Sequence, residues 1–193
     1  MKVLLVTAEY PPVPGGVGDY SRRLVESLTG LGEELIVFTS TEPDPERLGA
    51  SREEASWRFP EGQKIWYAVP RWTWQSWRLL KGRIQAERPD VVHIQYQAAS
   101  YGMRPFIHAV PALIRSWGIR PLVVVTFHDL RVPYLFPKAG PLRQWAVRSL
   151  AAFADAVVAT NPEDFDAVRA RGHGHVYEIP IGSNVHNLSL IHI

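Results

Sequence analysis

The chain has 193 residues, 46% of them apolar and 21% charged, with a net charge of +2 and no cysteine. That balance excludes a disordered or fibrous chain, and the missing thiols exclude disulfides, cysteine-ligated zinc, iron–sulfur clusters and thiol catalysis, which fits a reducing compartment such as the cytoplasm. The length is enough to bury one full core, so a single domain is expected.

Strand and helix patterns alternate along the chain, the mark of a parallel sheet wrapped by helices. Strands are expected at Lys2 to Thr7, Glu34 to Thr39, Lys64 to Ala68, Val91 to Gln95, Leu122 to Phe127, Ala156 to Ala159 and Val176 to Ile179. Met1-Lys2 and the apolar run after it begin like a signal peptide. Glu9 and the prolines that follow cut that run far short of an h-region or a membrane span, so it reads as a buried strand. Continuous β-branched runs such as Val123-Val124-Val125 belong to central strands covered on both faces. Helices are expected over Gly18 to Gly30, Trp74 to Glu87, Arg104 to Trp117, Leu142 to Phe153 and Pro162 to Arg171. Pro141 and Pro162 suit first turns, whereas Pro111 is expected to kink its helix. The fold class is therefore α/β, a Rossmann-like doubly wound and mainly parallel sheet of about seven strands. Pro43 to Phe59 has no clear periodicity and reads as an excursion. The apolar tail 185–193 lacks a partner element and reads as a truncation or a non-native ending after a domain spanning 1–184.

The first junction carries the strongest local signal. After the strand come Tyr10-Pro11-Pro12-Val13-Pro14 and then Gly15-Gly16-Val17-Gly18-Asp19-Tyr20, leading into a helix. Glycines there let a ligand approach the backbone and the free amides of the helix start, which suits a phosphate; equally, they could serve only a tight turn and close packing. A P-loop fits poorly because Asp19-Tyr20, not Lys-Ser or Lys-Thr, follows the last glycine. A dinucleotide fingerprint fits poorly, since Glu9 to Pro14 intervene and Ser21 stands where its third glycine belongs; Glu42 could serve as a ribose-binding acid but reads more easily as part of a turn. A dinucleotide-binding oxidoreductase is the runner-up.

Five stretches in register with the strand pattern carry a resemblance. They are the Tyr10 to Tyr20 segment, Pro89-Asp90-Val91-Val92-His93-Ile94-Gln95, Val125-Thr126-Phe127-His128-Asp129, Ala154-Asp155-Ala156-Val157-Val158-Ala159-Thr160 and Ile179-Pro180-Ile181-Gly182-Ser183-Asn184. Together they resemble the amino-terminal domain of family 4 retaining glycosyltransferases, which have the two-domain GT-B fold. The resemblance implies transfer of a sugar from a nucleotide-diphosphate donor to a carbohydrate or lipid-linked acceptor, with the acceptor held mainly by this domain. It places the nucleotide site, a Glu-x7-Glu motif and the diphosphate-stabilising Arg and Lys in a second domain, so this chain alone is expected to be inactive and to bind no cofactor itself.

His128, following a buried strand at its carboxyl end, is the expected catalytic residue; the resemblance implies that it reaches the donor sugar. A retaining, same-face transfer needs positioned hydrogen bonds and stabilisation of the leaving diphosphate rather than a strong protein base. Gly15, Gly16, Gly18 and Tyr10 are expected at the donor phosphate or substrate, while Tyr20 reads as a packing residue. Gln95 and Gln97 end a strand on the same edge, and their amides suit sugar hydroxyls. Asp129 and Arg131 share the loop after His128 and could pair with each other or bind hydroxyls. Five of the seven tryptophans, Trp57, Trp66, Trp72, Trp74 and Trp77, crowd beside Arg71, Arg78, Lys81, Arg83 and Arg88. One of the helical pair Trp74 and Trp77 is expected in the core. Trp72, Trp74, Arg71 and Arg131 are candidates for acceptor or membrane contact, which would put the protein at the inner face of the membrane. The histidines form no ligand set, so no metal is expected, and no nucleic acid partner either. A non-catalytic interaction module using the tryptophan and basic surface is the third reading.

Overall fold

The computed structural model describes residues 1–40, 64–130 and 148–182. Glu42, the Pro43 to Phe59 excursion, Trp57, Arg131, Pro141, the first part of the Leu142 to Phe153 helix and residues 183–193 lie outside the described residues.

Seven parallel strands form one sheet in the order β3-β2-β1-β4-β5-β6-β7. They are β1 (Lys2–Val6), β2 (Glu34–Ser40), β3 (Lys64–Val69), β4 (Val91–Gln97), β5 (Leu122–Asp129), β6 (Ala156–Ala159) and β7 (Val176–Glu178). Strand order reverses between β1 and β4, so the sheet is doubly wound as the alternating pattern predicts, with its topological switch point at that pair. Winding in opposite directions with right-handed crossovers sends the helices to opposite faces.

The helix α1 (Gly16–Gly30) covers one face, where Val25 packs on Val3, Leu5, Leu35, Val37 and Val91. On the other face, Leu80 and Ile84 of α2 (Trp74–Glu87), Ile114 of α3 (Val110–Ser116), Leu150 of α4 (148–152) and Val168 of α5 (Pro162–Arg169) meet Leu4, Val6, Ile36, Ile94, Val125 and Phe127. Burying each such Leu, Ile or Val side chain contributes about 1.5–3 kcal/mol. Because side chains alternate across a strand, each central strand supplies both cores, which is why β1, β4 and β5 read as continuous apolar runs.

The third helix differs from its expectation. Residues Pro105–Ala109 form a 3₁₀ turn, and α3 starts afresh at Val110, so Pro111 sits in a first turn and kinks nothing. A first-turn residue has no intrahelical acceptor for its N–H, so proline there loses no bond.

Candidate functional site

The carboxyl ends of β1, β4 and β5 converge at the switch point, and the α1 face there is polar within an apolar sheet. In the parallel registers His93 lies beside Leu5 and Val124, and Gln95 beside Thr126. His93, Gln95, Thr126 and His128 therefore share the face that α1 covers. Gln95 and Thr126 are fully buried. Gln95 Oε1 accepts from His128 Nε2 at 2.8 Å, Gln95 Nε2 lies 3.2 Å from His93 Nε2, and His93 Nε2 lies 2.8 Å from Thr126 Oγ1. Burial pushes both imidazoles down from 6.5 to about 4, His93 also through repulsion from His128. Desolvation penalises the imidazolium, so both rings are neutral at pH 7.

The strand end that carries His128 is braced on every side. Thr160 donates its backbone N–H and its hydroxyl to the Phe127 carbonyl, at 3.3 and 3.2 Å. Leu130 N–H donates to Asp164 Oδ2 at 3.2 Å, and Asp164 is itself held by the helix cap Asn161, which accepts from Asp164 N–H at 2.9 Å. From α1, the Tyr20 ring meets the His128 ring edge-on, centroids 4.7 Å apart. That contact puts the glycine turn and His128 on the same edge of the sheet.

The three glycines do different work. A Cβ on Gly15 would fall 2.2 Å from Glu9 Oε2, so this residue makes room for a carboxylate of the protein itself. A Cβ on Gly18 would touch the backbone of Glu9 and Tyr10 at 3.4 Å, which marks close packing of α1 on the β1 loop. Of the three, only Gly16 faces open space, with nothing within 4 Å of its Cβ position. Thr7 ties the loop together, its hydroxyl donating to the Glu9 carbonyl at 2.8 Å.

Other expected contacts lie elsewhere. Tyr10 is fully buried in the core under α1, so it packs rather than meeting substrate; a proline-flanked aromatic looked like a loop residue. Gln95 does not offer its amide to a ligand, because both ends of that amide are taken by the two histidines. Gln97 is half-buried, with its Oε1 accepting from Ser100 at 3.0 Å. Trp72 is 6% exposed, stacks edge-on with Tyr101 at 4.8 Å and donates to Ser40 Oγ at 3.0 Å, so it is core and not a membrane contact. Trp77 is the tryptophan of its pair that packs inward, donating to the Phe106 carbonyl at 2.8 Å, whereas Trp74 is 54% exposed and Arg71 and Arg78 are exposed near it in sequence. Asp129 is exposed at the end of β5. His93 and Thr126 received no role from sequence, although polar residues at period two in otherwise apolar strands were the available signal.

A cleft of about 570 Å³ lined by Arg148, Asp155, Arg171, His173 and His175 opens at the opposite, amino-terminal edge. Two of its groups serve the fold: Asp155 accepts from Val123 N–H and pairs with Arg115, both at 2.8 Å, and His173 Nε2 lies 3.2 Å from the Ala154 carbonyl. Ligands of open α/β sheets bind at the carboxyl edge, and that is where the buried histidine network lies. Among the described residues no three His, Asp or Glu groups gather as metal ligands, and no helix is long and apolar enough to cross a membrane.

The model of the Glycosyl transferase 4-like domain matches residues 15–181. No curated protein sequence matches the chain. Among solved structures, sucrose-phosphate synthase from Thermosynechococcus elongatus is similar at 18% identity and TM-score 0.68, over 95% of this chain and 49% of that one. HepE from Anabaena, in complex with UDP-glucose, is similar at 15% identity and TM-score 0.60, over 95% and 44%. An alpha-glucosyltransferase in complex with UDP and a 13-mer DNA follows at 15% identity and TM-score 0.54, over 95% and 43%. At these identities the likeness is one of fold. The chain spans about half the length of the first of these structures.

Proposed function

Since this chain belongs to the glycosyl transferase 4-like domain family, we propose that it forms the acceptor-side half of a two-domain glycosyltransferase that moves a sugar from a nucleotide-diphosphate donor to an acceptor, with retention at the anomeric carbon. The observation that carries the reading is His128, a neutral histidine fixed by Gln95 at the carboxyl edge of the switch point, beside the open start of α1 at Gly16.

In this reading the chain supplies position rather than acid–base chemistry. A retaining transfer on one face of the sugar develops positive charge at the anomeric carbon and negative charge on the departing diphosphate. The second domain neutralises the diphosphate. His128, held neutral, binds a donor-sugar hydroxyl without adding a repelling positive charge beside the developing oxocarbenium ion. Amides at the start of α1 around Gly16 approach the donor phosphate or the acceptor, and Gln97 at the end of β4 lies on the same edge. Solved structures with this fold are complexes with UDP-glucose or UDP, which supports a nucleotide sugar as donor; one also holds DNA, so the fold itself leaves the acceptor class open. Exposed Trp74 with Arg71 and Arg78 supports a lipid-linked acceptor presented at an anionic membrane surface, which would place the protein peripherally at the inner face. No NAD is required, and the oxidoreductase reading is not favoured.

The test is incubation with a panel of nucleotide-diphosphate sugars and acceptors, reading nucleoside diphosphate release and the anomeric configuration of the product by NMR. The isolated chain is expected to turn over no donor. A longer chain in which it is followed by a nucleotide-binding half is expected to release nucleoside diphosphate and form a product that keeps the donor's configuration. An inverted product, or no transfer with any donor, overturns the reading.

A further inference from the structure

The buried polar network has a direction, and its origin lies two residues away from His128. Gln95 has one end that only accepts and one that only donates. Its Oε1 faces His128, so His128 Nε2 carries the proton; its Nε2 faces His93, so His93 Nε2 is the bare nitrogen. The reverse arrangement, with the amide turned over and both ring protons relocated, satisfies Gln95 equally well. Thr126 breaks that degeneracy. It is fully buried, and among the described residues its hydroxyl makes no hydrogen bond except with His93 Nε2, at 2.8 Å. A buried hydroxyl proton without an acceptor is costly, so Thr126 donates to His93 Nε2, which must then be bare. The Gln95 amide turns its nitrogen toward His93 and its oxygen toward His128.

We propose that Thr126 is a positioning residue that sets the tautomer of His128 through His93 and Gln95, leaving His128 Nδ1 as a bare acceptor for a substrate hydroxyl. His128 Nδ1 has no hydrogen bond among the described residues, and the ring is only part-buried, so a ligand at the carboxyl edge can reach it. The neutrality of both rings at pH 7, enforced by burial, fits the same scheme. The hydroxyl's role rests on the glycosyltransferase reading, but the tautomer does not. The site would then select a group that donates, and reject a fluorine or methoxy group in its place.

Long-range 1H–15N spectra of the 15N-labelled chain, with His128 assigned through His128→Asn and no nucleotide or sugar present, read the tautomer directly. The wild type is expected to show His128 protonated at Nε2 and His93 at Nδ1. Thr126→Val, nearly isosteric, is expected to shift the His128 tautomer ratio toward Nδ1–H by about tenfold, the equivalent of one net hydrogen bond, and Thr126→Ser to restore the wild-type spectrum. Thr126→Ala gives a second reading that does not depend on Thr126→Val folding, because it also removes the hydroxyl that donates to His93, and it is expected to shift the His128 ratio in the same direction. His128 protonated at Nδ1 in the wild type overturns the proposal, as does a folded Thr126→Val or Thr126→Ala chain with an unchanged spectrum. None of these outcomes depends on activity, so they stand apart from failure of the glycosyltransferase reading.

Discussion

His93 and His128 sit on a mostly apolar sheet where an imidazolium would be poorly solvated, and this has a consequence for stability. Their folded pKa values of about 4 lie below the ordinary 6.5, so between those limits the unfolded chain binds protons that the folded chain refuses. Stability is therefore complete above about pH 6.5 and falls as pH drops toward 4. At pH 5 the loss is at most about 2 kcal/mol for each histidine, somewhat less for His128, whose ring is partly wetted. Urea midpoints at pH 7.5 and 5 check this: the wild type is expected to lose stability across the interval and His93→Gln to lose markedly less. Gln95→Leu is expected to cost about 1–3 kcal/mol, because it leaves the His128 Nε2–H without its acceptor in a largely buried site. His128 was legible at the residue scale because a histidine after a β-branched run falls at the ligand edge. The burial of Tyr10, Trp72 and Gln95 was not, since local sequence does not say which side of a loop or strand end is covered by a helix that packs from far along the chain.

At the scale of elements, the seven strands were legible to within two residues, β4 and β5 running two residues past their expected ends, because β-branched runs set both their existence and their parallel class. The α3 region was misread because a helical pattern across Pro105 to Trp117 gives no sign that the chain restarts at Val110. Two elements position the site and can be tested. Asn161 caps α5 and fixes Asp164, which anchors the residue after β5 through Leu130 N–H. Asn161→Ala is expected to lower stability by about 1 kcal/mol in denaturant titration. At the glycine turn, Gly18→Leu is expected to disrupt packing of α1 on the Glu9 and Tyr10 backbone and lower the Tm, whereas Gly16→Ala, facing open space, is expected to leave the Tm unchanged and weaken donor binding.

At the scale of the molecule, one doubly wound sheet brings the buried histidine network to the edge where its winding reverses, and the family membership and the solved folds agree with that architecture. The central claim is that His128 acts on the donor sugar while the rest of the chain holds it still. The most direct measurement is the initial rate of nucleoside diphosphate release by the enzyme carrying this domain, comparing wild type with His128→Ala, alongside the Tm of each. The account predicts a fall in kcat/KM of about a hundredfold or more, the usual scale for losing one group that stabilises the transition state, with the variant still folded above pH 7 and its Tm lowered only as far as the lost Gln95 hydrogen bond and Tyr20 contact require. An unchanged kcat/KM in a folded variant would contradict it and leave this edge of the sheet without a role in sugar transfer.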